Sequence, residues 1–360
     1  MTTPYSTKPE RSFWRPAVAS RSFFDLEELW HPRFDIQTTD PIVTFGSCFA
    51  QHIGRALVER GFSWYSAEPA PPGLSTANAR LFNYDVFSAR TGNIYTTSML
   101  LQLTRWATGA AEIPAAVWEK DGRIYDPFRP AIEPNGFKTN QEMLANRKNS
   151  VAAFRECMKV AKYFVFTLGL TESWFDRAGG YEYAICPGTA AGEFDADRHI
   201  FKNQTVGEIQ ADLIEAIDLM REVNPALHFI LTVSPVPLVA TNSENHVLVA
   251  TMESKSILRA VAGQVARERG EVDYFPSYEL INSPVIRGTF FEPNQRSVNS
   301  QGVAFVMSKF FEGLVEAGGS LGTREKTNPA RPPLSTIEQR SARTDLVCEE
   351  ELLQAFEGAS

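Results

Sequence analysis

The sequence predicts an α/β protein: a three-layer α/β/α sandwich with a mainly parallel sheet and insertions between its strands. Three observations predict it. Short apolar runs rich in β-branched and aromatic residues recur at 42–45, 162–170, 228–235 and 272–277. Segments with three-to-four-residue apolar spacing follow or separate them, at 141–159, 206–223, 248–269 and 300–317. The strand-like runs are apolar throughout rather than alternating, which is the pattern of strands covered on both faces. A chain of 360 residues, 43% hydrophobic and 22% charged, is long enough to bury a large core of this kind.

In chain order, residues 1–40 are polar and irregular, punctuated by Phe13, Trp14, Phe23, Phe24 and Trp30. They predict an arm docked by its aromatics. Residues 42–45 form the first strand, and Phe49, Ile53, Ala56, Leu57 and Arg60 trace the helix after it, with Gly61 where a helix stops. "FSWY" at 62–65 reads as a second short strand. Residues 68–96 are rich in Pro, Gly and Asn and predict a loop or lid. A helix is expected over 97–108, and a polar insertion with short strand fragments over 112–140. The domain then spans 41–317, residues 318–334 are a Gly/Pro/charged linker, and 335–360 are a tail with an amphipathic helix over 336–356.

Several function classes are disfavoured. The net charge of −8 argues against nucleic-acid binding. No stretch approaches the about 20 apolar residues of a membrane span, and the first residues lack the apolar core of a secretory signal. Cys48, Cys157, Cys186 and Cys348 lack metal-ligand spacing and read as reduced thiols, which predicts a cytoplasmic protein. There is no phosphate-binding loop, dinucleotide fingerprint or metal motif, so no cofactor is expected. The expected partner is a small-molecule or glycan substrate.

In open parallel sheets, ligands bind beyond the carboxyl ends of the strands. The residues after the first strand are Gly46-Ser47-Cys48; after the next buried strand come Gly169, Thr171 and Glu172. Ser47 stands at a strand–helix turn, where free backbone N–H groups can serve a developing oxyanion. It can equally be the helix cap. Cys48 reads as buried packing more readily than as a thiolate nucleophile.

The string "GSCFAQHI" at 46–53 resembles the signature of the GSCFA family. "SARTGNIYTTSMLLQLTR" at 88–105, "FTLGLTESW" at 166–174 and "LTVSPVPLVAT" at 231–241 resemble its further blocks, in order. That family is assigned to the SGNH/GDSL-type hydrolases, which implies an SGNH/flavodoxin-like sandwich. The resemblance implies Ser47 as nucleophile with its own backbone N–H as one oxyanion donor. It implies Gly92 as a second donor and the amide of Asn93 beside it. The third block falls at Gly169-Leu170-Thr171, with threonine where the superfamily has asparagine. In the fourth block, Asn294 and Ser297 stand where an aspartate and a histidine are usual.

The base must then come from elsewhere. His246 follows the strand ending near 233, on the ligand side of the sheet, and is the expected general base; the competing reading is a loop histidine or helix cap. His199 is second choice. His52 lies five residues past Ser47 on a different helix face, and His31 and His228 read as structural. Glu172 could orient a base or act as one if burial raised its pKa. Lys255 could be a base or an anion contact, and Arg296 could bind an acidic group. Trp64, Tyr65, Tyr95, Trp174 and Tyr183 could line a sugar cleft or simply the core.

The expected function is a serine esterase or O-acyltransferase acting on a carbohydrate through a Ser47 acyl-enzyme. The alternative is a catalytically degenerate scaffold that binds a glycan or a protein.

Overall fold

The structure, a computed structural model, describes residues 3–316 and 348–356. The 318–334 linker and the first part of the expected tail helix lie outside the described residues. The elements run β1 (Ile42–Gly46), α1 (Ala50–Glu59), α2 (Thr76–Leu81), α3 (Thr97–Thr108), β2 (Trp118–Lys120), β3 (Arg123–Tyr125) and α4 (Asn140–Val160). They continue through β4 (Tyr163–Leu168), β5 (Glu172–Asp176), β6 (Glu182–Tyr183), β7 (His199–Asn203), α5 (Val206–Val223) and β8 (His228–Val233). α6 (Val247–Glu268), β9 (Val272–Tyr274), α7 (Ser277–Asn282) and α8 (Ser300–Glu316) complete the domain, and a 3₁₀ segment covers Glu349–Phe356.

The central sheet is parallel, in the order β1-β4-β8-β9. Its strands send alternate residues into two separate cores, which is why the runs read as continuously apolar. Phe45, Phe164, Phe166 and Leu231 face a core closed by α3, α4, α5 and α6. Ile42, Val165 and Ile230 face a second core closed by α1, α7 and α8. These are the three layers expected.

Two elements differ from the sequence reading. The second strand shrinks to one parallel bridge, Ile42 to Trp64, because the chain passes the sheet edge there for only a few residues. Of the 68–96 segment, residues 86–96 are an interior wall, while most of 69–82 is exposed and carries the short helix α2. Ser88, Arg90, Thr91 and Asn93 are buried. The Ser88 hydroxyl accepts from Thr44 N at 3.0 Å, and the Arg90 carbonyl accepts from Arg129 and Ser150 at 3.0 and 2.8 Å. Its Gly and Asn residues let the backbone turn inside the protein, where side chains satisfy its carbonyls.

In the arm, Trp30 stacks on Phe310 at 5.1 Å, and Arg33 donates to the carbonyls of Ala266, Arg269 and Val272 near the end of α6. A second sheet, antiparallel β6-β5-β7, stands over the carboxyl end of the central one.

Candidate functional site

The end of β1 is shaped by one close approach. Gly46 has φ of +128°, and a Cβ there would stand 2.4 Å from the Thr167 carbonyl oxygen. Only glycine lets β1 run that close to β4 and still turn, and the turn delivers Ser47 to the sheet's carboxyl end. Ser47 is 2% exposed, and its hydroxyl has no hydrogen-bond partner among the described residues. Its backbone N–H donates to Thr167 O at 3.0 Å. That N–H is therefore a sheet-end bond, not the oxyanion donor expected of it. Nor does the Ser47 side chain cap α1: the helix begins at Ala50 after Phe49, without a side-chain cap bond.

Gly169 packs directly on Ser47, since a Cβ at this glycine would stand 3.0 Å from the Ser47 Cβ. Its N–H donates to Tyr95 O at 2.9 Å. Its carbonyl oxygen accepts from the Lys255 ammonium at 2.6 Å. Lys255 lies on the buried stripe of α6 with Ala250, Ser254 and Leu258. Burial lowers its pKa to about 8, with the Glu350 carboxylate already near it.

The 92–95 turn supplies the donors on the other side. Gly92 has φ of +68° and presents a bare Cα, and Ile94 N donates to Gly46 O at 2.9 Å, tying the turn to the residue before Ser47. The Asn93 backbone N–H, the Asn93 side-chain amide and the Tyr95 hydroxyl converge on one acceptor, the buried carboxylate of Glu349. Tyr95 Oη is 3.1 Å from it. Burial raises the Glu349 carboxyl above its ordinary value, the donors opposing the rise.

Glu349 belongs to a terminal segment that no sequence signal ties to this site. Its neighbours enter too. Cys348 contacts the thiol of Cys48 and lies 3.6 Å from Tyr95 Oη. That thiol contact and burial push Cys48 well above the ordinary thiol range, so it stays protonated. Glu350, 7% exposed, pairs with Arg296 at 3.4 Å, and burial raises its pKa.

The remaining predicted residues separate. Thr171 is fully buried, and its hydroxyl donates to Asn203 Oδ1 at 2.6 Å, anchoring β5 to β7. Glu172 accepts from the Thr241 hydroxyl and from Asn242 N at 3.1 Å; burial raises its pKa. It lines a cavity of about 560 Å³ with Tyr95, Trp174, Tyr183, Glu350 and Leu353. His246 is not brought to Ser47. It is exposed at the start of α6, its Nδ1 accepting from Leu248 N at 3.2 Å, and it serves as that helix's cap. His199 Nδ1 accepts from Asp195 N at 3.0 Å within its loop. His52 is buried beside Cys48 in a separate cavity of about 480 Å³, and burial lowers its pKa to about 4. In the fourth block, Asn294 and Ser297 bond each other at 2.9 Å, making the turn that carries Arg296. Among the described residues, no group of three or more His, Cys, Asp or Glu side chains is placed to hold a metal ion, and no helix is long and apolar enough to cross a membrane.

No curated protein and no solved structure matches the chain. The model of the GSCFA family matches residues 41–310, three quarters of the sequence and all the strands of the central sheet. The chain belongs to the GSCFA family.

Proposed function

We propose that the protein is a serine esterase or O-acyltransferase working through an acyl-enzyme on Ser47, with a carbohydrate ester as substrate. The alternative class is a binding module on the same scaffold. One observation carries the enzyme reading: a buried serine hydroxyl without a partner lies beside a turn whose donors already hold a carboxylate. A buried polar atom left unpaired is costly in a merely structural residue. Donors that hold the oxygens of Glu349 suit the oxyanion of a tetrahedral intermediate as well.

In this reading Lys255 replaces the histidine. A buried lysine with a pKa of about 8 has a neutral fraction at mildly alkaline pH, enough for a general base. It accepts the Ser47 proton as Oγ bonds the substrate carbonyl carbon. Asn93 and Tyr95 donate to the oxyanion. The ester C–O bond then breaks, and the leaving alkoxide takes the proton back from Lys255. Water or a sugar hydroxyl attacks the acyl-Ser47 ester by the same route and restores the free serine. The aromatic walls of the neighbouring cavity, Trp174 and Tyr183, suit the face of a sugar ring.

A fluorophosphonate probe tests this. Labelling of the wild-type chain that is lost in Ser47→Ala and slowed in Lys255→Met is the expected result. Absence of labelling, or labelling that survives Ser47→Ala, sinks the enzyme reading. Unlabelled protein that nonetheless binds glycans favours the binding module, which the satisfied Ser47 N–H and the distant His246 support.

A further inference from the structure

We propose that the substrate carries an anionic group that binds Arg296, and that the Cys348–Phe356 segment is the site's built-in competitor, with Glu349 in the carbonyl position and Glu350 in the anionic-group position. The inference rests on the Ser47 reading above and names the kind of substrate that site takes.

Arg296 has a side chain only 12% exposed, and its ion pairs among the described residues are with Glu350 and Glu351, both from the terminal segment. Its other side-chain bonds go to the carbonyl of Pro237 at 3.1 Å and to Cys348 of the same segment. Lys255, 1% exposed, bonds the carbonyl of Gly169 alone among the described residues, and the carboxylate that acts on it is again Glu350. The domain thus holds one buried and one largely covered cation whose countercharge, among the described residues, comes from the terminal segment. Burying cations without a partner costs several kcal/mol per ion. A domain that carries such a pair is built to receive an anion there.

Two successive carboxylates enter two different sockets. Glu349 takes the Asn93 N–H, the Asn93 amide and the Tyr95 hydroxyl, and Gly92 leaves the room: a Cβ there would stand 3.2 Å from Glu349 Oε1. Glu350 goes to Arg296. Cys348 closes over Cys48, and Leu353 and Phe356 run on along the aromatic cavity. The segment lies against Asn93, Tyr95 and Cys48, the neighbours of Ser47, and in this proposal it fills the positions of an acyl carbonyl and a neighbouring anion at once. An ester of a carboxylate- or phosphate-bearing molecule has the same two features. Its charge would oppose, as the Glu350 carboxylate does, the lowering of the Lys255 pKa by burial.

The test uses the full chain. Glu349→Lys with Glu350→Lys sets like charges against Arg296 and Lys255 and drives the segment out; the Glu349→Gln/Glu350→Gln pair removes charge without reversing it. The first readout is anisotropy of a fluorescein-labelled, acetylated peptide of residues 348–356. The double-lysine chain binds it saturably, the wild type at least about tenfold more weakly, and Arg296→Met in the double-lysine background costs about thirtyfold. The glutamine pair gives the same order with smaller amplitude. The second readout is kcat/KM for p-nitrophenyl acetate and for mono-p-nitrophenyl glutarate. Both rise when the segment is expelled, and Arg296→Met lowers the glutarate ester about tenfold more than the acetate, through KM. Equal binding of the peptide to wild type and double-lysine chains overturns the proposal. So does no binding to the double-lysine chain, or binding indifferent to Arg296→Met. If no variant cleaves either ester, the acyl-transfer reading fails, and the peptide still decides whether the anion socket exists.

Discussion

The Lys255 ammonium donates to the carbonyl oxygen of Gly169 at 2.6 Å, and the α-carbon of that same glycine lies against Ser47. One peptide unit therefore joins a buried cation to a buried, unpartnered hydroxyl. It has no room for growth. Gly169→Ala would set a methyl 3.0 Å from the Ser47 Cβ and 3.1 Å from Tyr95 O. We expect a loss of about 1–3 kcal/mol in urea unfolding, with displacement of Ser47 and loss of fluorophosphonate labelling. An unchanged midpoint together with unchanged labelling would contradict this packing.

Lys255 gives the site a pH signature. Its pKa falls from 10.5 to about 8 on folding because burial disfavours the charged form. The unfolded chain therefore binds more protons between those two values, and stability rises with pH across that window. The cost is fully present below about pH 8. Lys255→Met should remove that rise and stabilise the chain at pH 7 by about 1–3 kcal/mol. In the acyl-transfer reading, wild-type kcat/KM also climbs through pH 8, and the variant loses that limb. A parallel pH–stability curve for wild type and variant would show that Lys255 titrates normally.

Glu182 shifts the other way. Burial raises its carboxyl to about 7, although the Ser98 and Thr96 hydroxyls donate to it. The folded state then holds a proton that the unfolded chain releases above about 4.5, so stability falls as pH rises from 4.5 to 7. Glu182→Gln should match wild type near pH 4.5 and exceed it at pH 8 by about 1–3 kcal/mol. Denaturant titrations at the two pH values check it, and a variant equally less stable at both would refute it.

Asp126 joins α4 to the loop before it. Its fully buried carboxylate bonds Arg129 and Arg147, each at 2.9 Å, and despite burial these cations hold it below the usual carboxylate range. Asp126→Asn would leave two buried guanidiniums short of a countercharge. The expected loss is about 3–5 kcal/mol, read as a lower unfolding midpoint. A change under about 1 kcal/mol would mean that water screens the trio.

Much of the fold was legible because strand and helix periodicities are local. The runs at 42–45, 162–170 and 228–235 showed no polar alternation, and the structure places a core on each face of all three. The Gly46-Ser47 turn was legible for a related reason: a glycine between strand and helix marks a sharp reversal, and the Thr167 carbonyl explains why nothing larger fits. Lys255 left a faint trace, a lysine in register with Ala250 and Leu258 on a buried stripe. A lysine at one stripe position is usually solvated, so the trace was easy to pass over.

His246 shows where the reading ran out. Its place in the chain, after a strand end on the ligand side, suited a base, yet the local backbone claims its Nδ1 to cap α6. Sequence order located the segment but not the direction of the ring. By itself the sequence determined the layers, the Gly46-Ser47 turn and the absence of a histidine from the fourth block, since each depends on residues near one another in the chain. Only the tertiary structure decided what surrounds Ser47. Lys255 reaches the site through Gly169, 86 positions away, and Glu349 through Asn93 and Tyr95, 256 and 254 positions away, and no local pattern encodes a contact over such a distance. That contact comes from the sheet bringing its strand ends together and from buried charge seeking its opposite.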